Sequence, residues 1–368
     1  MSDSNLHRLS ALGQSVWIDS LSRDMLRSGE LARLMADDAV VGVTSNPTIF
    51  QKALSQGSAY DGQFRELSGR DGDAKEIFIA LAGQDVTDAC ELMRSVWDEG
   101  RGLRGYVSLE VDPTLAYDTE GTYAEAKRLH ALVDRPNLYV KIPGTKPGLP
   151  AIEDMIAAGK SINVTLIFSL ERHREVMEAY LRGLERLVAA GGDPARVASV
   201  ASFFVSRVDT ETDRHLDEMG RRSELAGRLA VANAKLAYQN WKHVFAGERF
   251  EFLASKGASP QWCLWASTST KNPAYSDILY VDELIGPETV NTMPEETIRA
   301  FQDHGRPALT LEQEIDGARR LLAELAEAGI DVDDVTETLE AEGVQKFADS
   351  FAELLDGIRA KHGELVSA

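Results

Sequence analysis

The sequence predicts an α/β protein, a single (β/α)8 barrel with additional carboxyl-terminal helices. Two patterns lead there. Short apolar runs rich in β-branched residues alternate with longer stretches of helical period, as in βαβ units wound around a parallel sheet. Several of those runs also carry polar side chains at one parity, which suits a barrel whose lumen holds chemistry. The eight runs are VWIDS (16 to 20), VVGVTS (40 to 45), GYVSLEVD (105 to 112), LYVKIP (138 to 143), INVTLIF (162 to 168), VASVASFF (197 to 204), WCLWAS (262 to 267) and ILYVDE (278 to 283).

The connecting segments read as helices by cap and period. Ser169 is placed to cap a helix with Glu171 in its first turn. Val176, Tyr180, Leu184, Leu187 and Val188 line one face, and Gly191 suits the left-handed residue beyond the end. From Leu311 onward two or three acidic helices are expected to close the barrel and cover one side. Residues 1–368 thus read as one domain, with 311–368 supplying the covering helices. No repeat of 20 to 50 residues and no low-complexity tract interrupts this pattern.

Parity orders the strands into an outer and an inner face. Ile162, Val164 and Leu166 oppose Asn163 and Thr165; Val107, Leu109 and Val111 oppose Ser108 and Glu110; Leu138 and Val140 oppose Tyr139 and Lys141. Val16 and Ile18 oppose Trp17 and Asp19, and Ala201 and Phe203 oppose Ser202 and Phe204. In a closed barrel Asp19, Glu110, Lys141, Asn163 and Thr165 would converge near the carboxyl ends of the strands, where barrel enzymes keep their reactive groups. Each residue alone has a plainer explanation. A strand Lys or Glu can be half of a structural ion pair, and Asn46 of TSNPT can be a turn residue before Pro47. Their simultaneous appearance on five strands is what points to a site.

Composition narrows the function. The 368 residues carry 39 Lys plus Arg against 59 Asp plus Glu, a formal net charge of −20. That balance argues against nucleic-acid binding, which needs a cationic footprint for phosphates. An anionic small molecule would have to be held by a few local cations. At 43% hydrophobic and 27% charged the chain reads as an ordinary globular protein. Cys90 and Cys263 form neither a metal-ligand spacing nor a disulfide framework, which suits a reducing compartment. The segment MSDSNLHRLSALGQSVW has no apolar signal-peptide core, and no run approaches the length of a membrane span, so a cytoplasmic location is expected.

A lysine beside carboxylates, amides and hydroxyls suggests a Schiff base with a carbonyl substrate. The attacking amine must be neutral, and a dry lumen flanked by Val140 and Ile142 favours that form. Glu110 then serves better as a proton shuttle than as a tight ion-pair partner. Other chemistries lack their motifs. GKS at 159 to 161 has Asp154 where a phosphate loop needs Gly, and it runs from helix into strand, so Gly159 reads as a helix terminator. The seven His form no HExxH, and no G-x-S-x-G elbow occurs. No metal and no organic cofactor is expected.

VGVTSNPTIF, VSLEVDPTLAYDT, NLYVKIPGT, SINVTLIFS, SFFVSRVD and LWASTSTKNPAYSD together resemble the successive strand motifs of the transaldolases, in their longer bacterial form. The resemblance runs from about residue 16 to GVQKFADSFAELL near the carboxyl terminus. It implies a class I aldolase barrel that moves a dihydroxyacetone unit from a ketose phosphate to an aldose phosphate in the non-oxidative pentose phosphate pathway. Carried over by motif, it implies Lys141 as Schiff-base nucleophile, Glu110 as a shuttle working through a water held by Thr165, and Asp19 as general base. Asn46, Asn163 and Ser202 would hold the three-carbon unit and the substrate hydroxyls, and Arg207 the phosphate. Where many relatives place a second phosphate-binding arginine, STSTKN offers Lys271 with Ser269, a point charge without the planar fork. Phe204 matches an aromatic lining the lumen; smaller fructose 6-phosphate aldolase relatives tend to carry Tyr there, so Phe leans toward transfer. The implied partners are sugar phosphates, with the chain a monomer or homodimer and no nucleic acid or membrane involved. The alternatives are a fructose 6-phosphate aldolase releasing free dihydroxyacetone, a non-catalytic sugar-phosphate sensor, and a divalent-metal aldolase.

Overall fold

The computed structural model describes residues 4–55, 58–68, 73–221 and 225–367. Eight parallel strands close into a barrel in sequence order: β1 (Gln14–Ile18), β2 (Val40–Val43), β3 (Tyr106–Glu110), β4 (Leu138–Pro143), β5 (Ile162–Ile167), β6 (Ser199–Phe204), β7 (Trp262–Ala266) and β8 (Thr289–Met293). The sheet closes where β1 pairs with β8, Trp17 lying beside Thr292 and Ile18 beside Met293.

Seven of the eight expected strands form, each within two or three residues of the expected bounds. The eighth does not. Ile278–Glu283 is no strand: Leu279–Asp282 makes a short helix, with Tyr280 and Val281 buried and the Tyr280 hydroxyl donating to Asp209 Oδ2 at 2.9 Å. The closing strand is the more polar Thr289–Met293, whose Thr and Val side chains favour extended backbone although few of them are apolar. Its polarity sets it apart from the apolar runs of the other seven.

Inside the barrel, parity stacks two unlike layers. Trp17, Tyr106 and Tyr139 plug the lower lumen, with ring centroids 6.0 Å apart for Trp17–Tyr139 and 3.9 Å for Tyr106–Tyr139. Two residues further along their strands stand Asp19, Ser108 and Lys141. A polar layer therefore rests on an aromatic floor. Gly42 of β2 makes room for that floor, since a Cβ there would run into the Trp17 indole.

The helix Leu170–Ala189 forms as its sequence dictates. The Ser169 hydroxyl accepts from Arg172 N at 3.0 Å, Val176, Tyr180, Leu184 and Leu187 are buried against the barrel, and Gly191 takes φ +79° beyond the end. Val188 is only partly buried, at the edge of that face. Gly159 likewise takes φ +74° after the helix Gly148–Ala157. Past Leu311 two helices follow. Ile315–Glu327 packs on Leu229–Phe245, while the long Val332–Ser367 packs on Pro47–Ser55 and reaches β5. Gly343 sets how closely that last helix approaches, because a Cβ there would lie 3.0 Å from Leu166 Cδ2 and 3.6 Å from Arg207 Nη1. No helix among the described residues is long and apolar enough to cross a membrane.

Candidate active site

Strand register creates the centre of the site. Glu110 of β3, Lys141 of β4 and Asn163 of β5 are lateral neighbours in the sheet, so three side chains far apart in the chain point inward at one level. Lys141 Nζ donates to Glu110 Oε2 at 3.0 Å and to the Ser45 carbonyl at 3.4 Å, with both side chains buried. The sequence suggests Glu110 as a proton shuttle more than a tight ion-pair partner, and the structure has the two in direct contact. In-register pairing of β3 with β4 sets the two residues side by side.

Burial is the main influence on the Glu110 carboxyl and pushes it above the usual carboxylate range; the neighbouring lysine opposes that, and Asp19 adds to it. Asp19 follows β1 directly. Its carboxyl is raised chiefly by desolvation, against the Lys141 charge and a 2.9 Å hydrogen bond from the Thr44 hydroxyl, with Glu296 pushing it further up. Asn163 is fixed from both sides: its Nδ2 donates to Ser108 Oγ at 3.1 Å and its Oδ1 accepts from Ser202 Oγ at 2.7 Å. Among the described residues Glu110 Oε1 and Thr165 Oγ1 are buried without a hydrogen-bond partner, and Thr165, which lines the cavity, has its hydroxyl free for a reacting molecule.

A cavity of about 380 Å³ opens above this layer at the carboxyl ends of the strands. It brings together nine of the expected residues: Asp19, Asn46, Lys141, Thr165, Ser202, Phe204, Arg207, Ser269 and Lys271. Glu110 and Asn163 do not line it; they stand behind Lys141 and Ser202, one contact away. Asn46 has both of its possible roles, since its Oδ1 accepts from Ile49 N at 3.0 Å at the start of the helix Pro47–Ser55 while the residue lines the cavity. Backbone strain marks the rim. Leu166, within a register shift of β5, takes φ +58°, and Ser267 after β7 takes φ +57°.

Cations line the cavity from more than one side. Arg207 follows β6 on the helix Ser206–Glu218, is mostly buried, and has no hydrogen bond or ion pair among the described residues. Its guanidinium carbon sits 5.1 Å from the Phe204 ring centroid. Lys271 donates to Ser269 Oγ at 2.6 Å, so this pair stands together as expected. Lys52, on the helix after Asn46, adds a third cation to the lining. Arg207 and Lys271 follow the neighbouring strands β6 and β7, and a guanidinium fork with an ammonium group on the next strand suits an anion such as phosphate.

Several lining residues escape a reading by sequence. Thr44 shares parity with Gly42 and is legible in VVGVTS; its hydroxyl bonds both Asp19 and, at 2.8 Å, Thr292. Thr292, on β8, and Glu296, just after it, are missed because that strand is expected elsewhere. Lys52, Thr268 and Phe347 enter through loops and helices whose approach strand parity does not report.

A family model described as Transaldolase/Fructose-6-phosphate aldolase matches residues 16–358. The chain belongs to this family. It is 52% identical over 361 residues to a transaldolase of Frankia alni, covering 97% of each chain. It is 53% identical to one of a Parafrankia species, covering 98% of this chain and 99% of the relative. A transaldolase of Mycobacterium tuberculosis is 52% identical, with 97% and 96% covered. The family match takes in the eight strands but for the first two residues of β1, together with the aromatic floor and the cavity-lining residues.

Proposed function

We propose that this protein is a transaldolase that carries a dihydroxyacetone unit on Lys141 from a ketose phosphate to an aldose phosphate. The donors are sedoheptulose 7-phosphate or fructose 6-phosphate, and the acceptors glyceraldehyde 3-phosphate or erythrose 4-phosphate, as in the non-oxidative pentose phosphate pathway. One observation carries the reading: the buried Lys141 amine lies 3.0 Å from a carboxylate and shares its cavity with Asp19 and the Arg207–Lys271 cations.

The Lys141 nitrogen attacks the C2 ketone, and a proton moves from nitrogen toward Glu110 Oε2. A carboxyl held above its usual range by burial is the better acceptor for that proton. Glu110 returns it to the C2 oxygen to give the carbinolamine, then delivers a second proton taken from solvent, so that the oxygen leaves as water and the protonated imine remains, while Thr165 Oγ1 orients the water that relays these protons. Asp19 takes the C4 hydroxyl proton. The C3–C4 bond breaks, its electrons move into the protonated imine, and the aldose phosphate departs. The remaining enamine attacks the acceptor aldehyde, and the steps run in reverse, giving ping-pong kinetics. The family also contains aldolases; Phe204 at the lumen wall and the transaldolases at about half identity favour transfer.

Borohydride added with fructose 6-phosphate should fix a three-carbon unit on Lys141, identified by peptide mapping. A label on another residue, or none, overturns the assignment. Asp19→Ala should still be trapped with an unphosphorylated ketone such as dihydroxyacetone while losing turnover.

A further inference from the structure

The helix Val332–Ser367 puts a single side chain into the cavity lining, Phe347. That ring is 5% exposed, and its centroid lies 5.6 Å from Lys141 Nζ and 6.0 Å from the Arg207 guanidinium carbon. Arg207 thus has an aromatic neighbour on the barrel, Phe204, and another on the carboxyl-terminal helix. The helix is held against the barrel on both sides of this contact. Gly343 fits against Leu166 and Arg207, Thr48 Oγ1 donates to Ser350 Oγ at 2.9 Å, and Phe351 meets Phe78 edge-on at 5.6 Å.

We infer that Phe347 is a positioning residue that decides between transfer and release: its ring covers the reacting nitrogen against water and holds Arg207 for the substrate phosphate. This rests on the Schiff-base reading of Lys141. Once the aldose phosphate has left, the enamine has two fates. It attacks an acceptor aldehyde, or its carbon takes a proton and the resulting imine is hydrolysed. In the second, water adds at C2, the C2–N bond breaks, and free dihydroxyacetone leaves as the Lys141 amine is restored. Both fates end with water adding at C2, but transfer has first joined C3 to the acceptor, so an apolar ring that keeps water and its protons from the waiting enamine slows release selectively. The same ring attracts the Arg207 cation through its face and leaves the N–H edge for an anion.

The two effects separate in two variants. Phe347→Ala opens the space and removes the ring. In that variant, dihydroxyacetone release without acceptor should rise several-fold relative to transfer, and KM for phosphorylated substrates should rise roughly three- to tenfold, the cost of a lost cation–π contact. Phe347→Leu keeps apolar bulk, so its release-to-transfer ratio should stay near the parent's while its KM still rises. Borohydride trapping with fructose 6-phosphate is run on all three proteins. A trapped Lys141 in each shows that the covalent chemistry is intact, whereas no trapping in the parent would sink the Schiff-base reading instead. If Phe347→Ala lowers transfer and release by one common factor, with KM unchanged, the inference is wrong. It is equally wrong if Phe347→Leu changes the release-to-transfer ratio as much as Phe347→Ala does.

Discussion

Lys141 and Glu110 meet across β4 and β3 in register, Nζ 3.0 Å from Oε2, with each side chain less than a tenth exposed. Contact this direct makes the carboxylate's proton affinity, more than its shape, the quantity that matters. Glu110→Gln keeps a hydrogen-bond acceptor for the amine but takes no proton. It should fold normally and lose about 10²- to 10⁴-fold in kcat, as expected for removing an acid–base group. Quenched borohydride trapping at successive times should show slow imine formation. Trapping at the parent's rate would move Glu110 out of this step.

Asp19 works as a base only when ionised, so activity should fall as pH drops through its pKa, which burial holds above the usual carboxylate value. Two neighbours tune that limb in opposite directions. The Thr44 hydroxyl stabilises the charged form, so Thr44→Val should move the acid limb of kcat/KM to higher pH. Glu296 repels that charge, so Glu296→Gln should move it to lower pH. Profiles of the parent and both variants check this. Superimposable acid limbs would assign the titration to another group.

The sequence reveals most where periodicity and chemistry coincide. A polar residue two places from another, inside an apolar strand, names its own face, and so Lys141, Glu110, Asn163 and Thr165 can be aimed before any coordinates. Register cannot be read the same way. Nothing in YVSLE or LYVKIP says that Glu110 and Lys141 stand level rather than one step apart, and that level pairing turns a nearby carboxylate into a contact. The eighth strand is lost to its own polarity, and Thr292 and Glu296 are lost with it. Phe347 lies on a helix well beyond the last barrel strand, and its arrival over Lys141 depends on tertiary packing that no local period encodes.

Gly42 and Trp17 offer a test of the floor. A methyl at position 42 would overlap the indole, which is itself packed against Tyr139 and cannot swing aside into the lumen. Gly42→Ala should cost about 1–3 kcal/mol, the usual range for overpacking, and should lower kcat as well, because Asp19 stands two residues past Trp17, just beyond the end of β1. Urea denaturation gives the first quantity and steady-state turnover the second. An unchanged unfolding midpoint would mean that the floor has slack.

Asp209 couples stability to pH away from the reaction centre. It lies in the helix Ser206–Glu218 and is 1% exposed, with Oδ1 accepting from Ala230 N at 2.8 Å and Oδ2 from the Tyr280 hydroxyl at 2.9 Å. Burial is the main cause that pushes its carboxyl up to about 7, with Asp213 adding to it and the two hydrogen bonds opposing. A folded-state pKa above the unfolded one means that the fold binds the proton more tightly. The contribution to stability is complete below about pH 4 and is lost as pH rises toward and through 7. Asparagine keeps an acceptor for Ala230 N and never ionises. The stability of Asp209→Asn relative to the parent should therefore grow by about 3 kcal/mol between about pH 5 and about pH 8 in urea denaturation. A constant difference across that range would place the proton elsewhere.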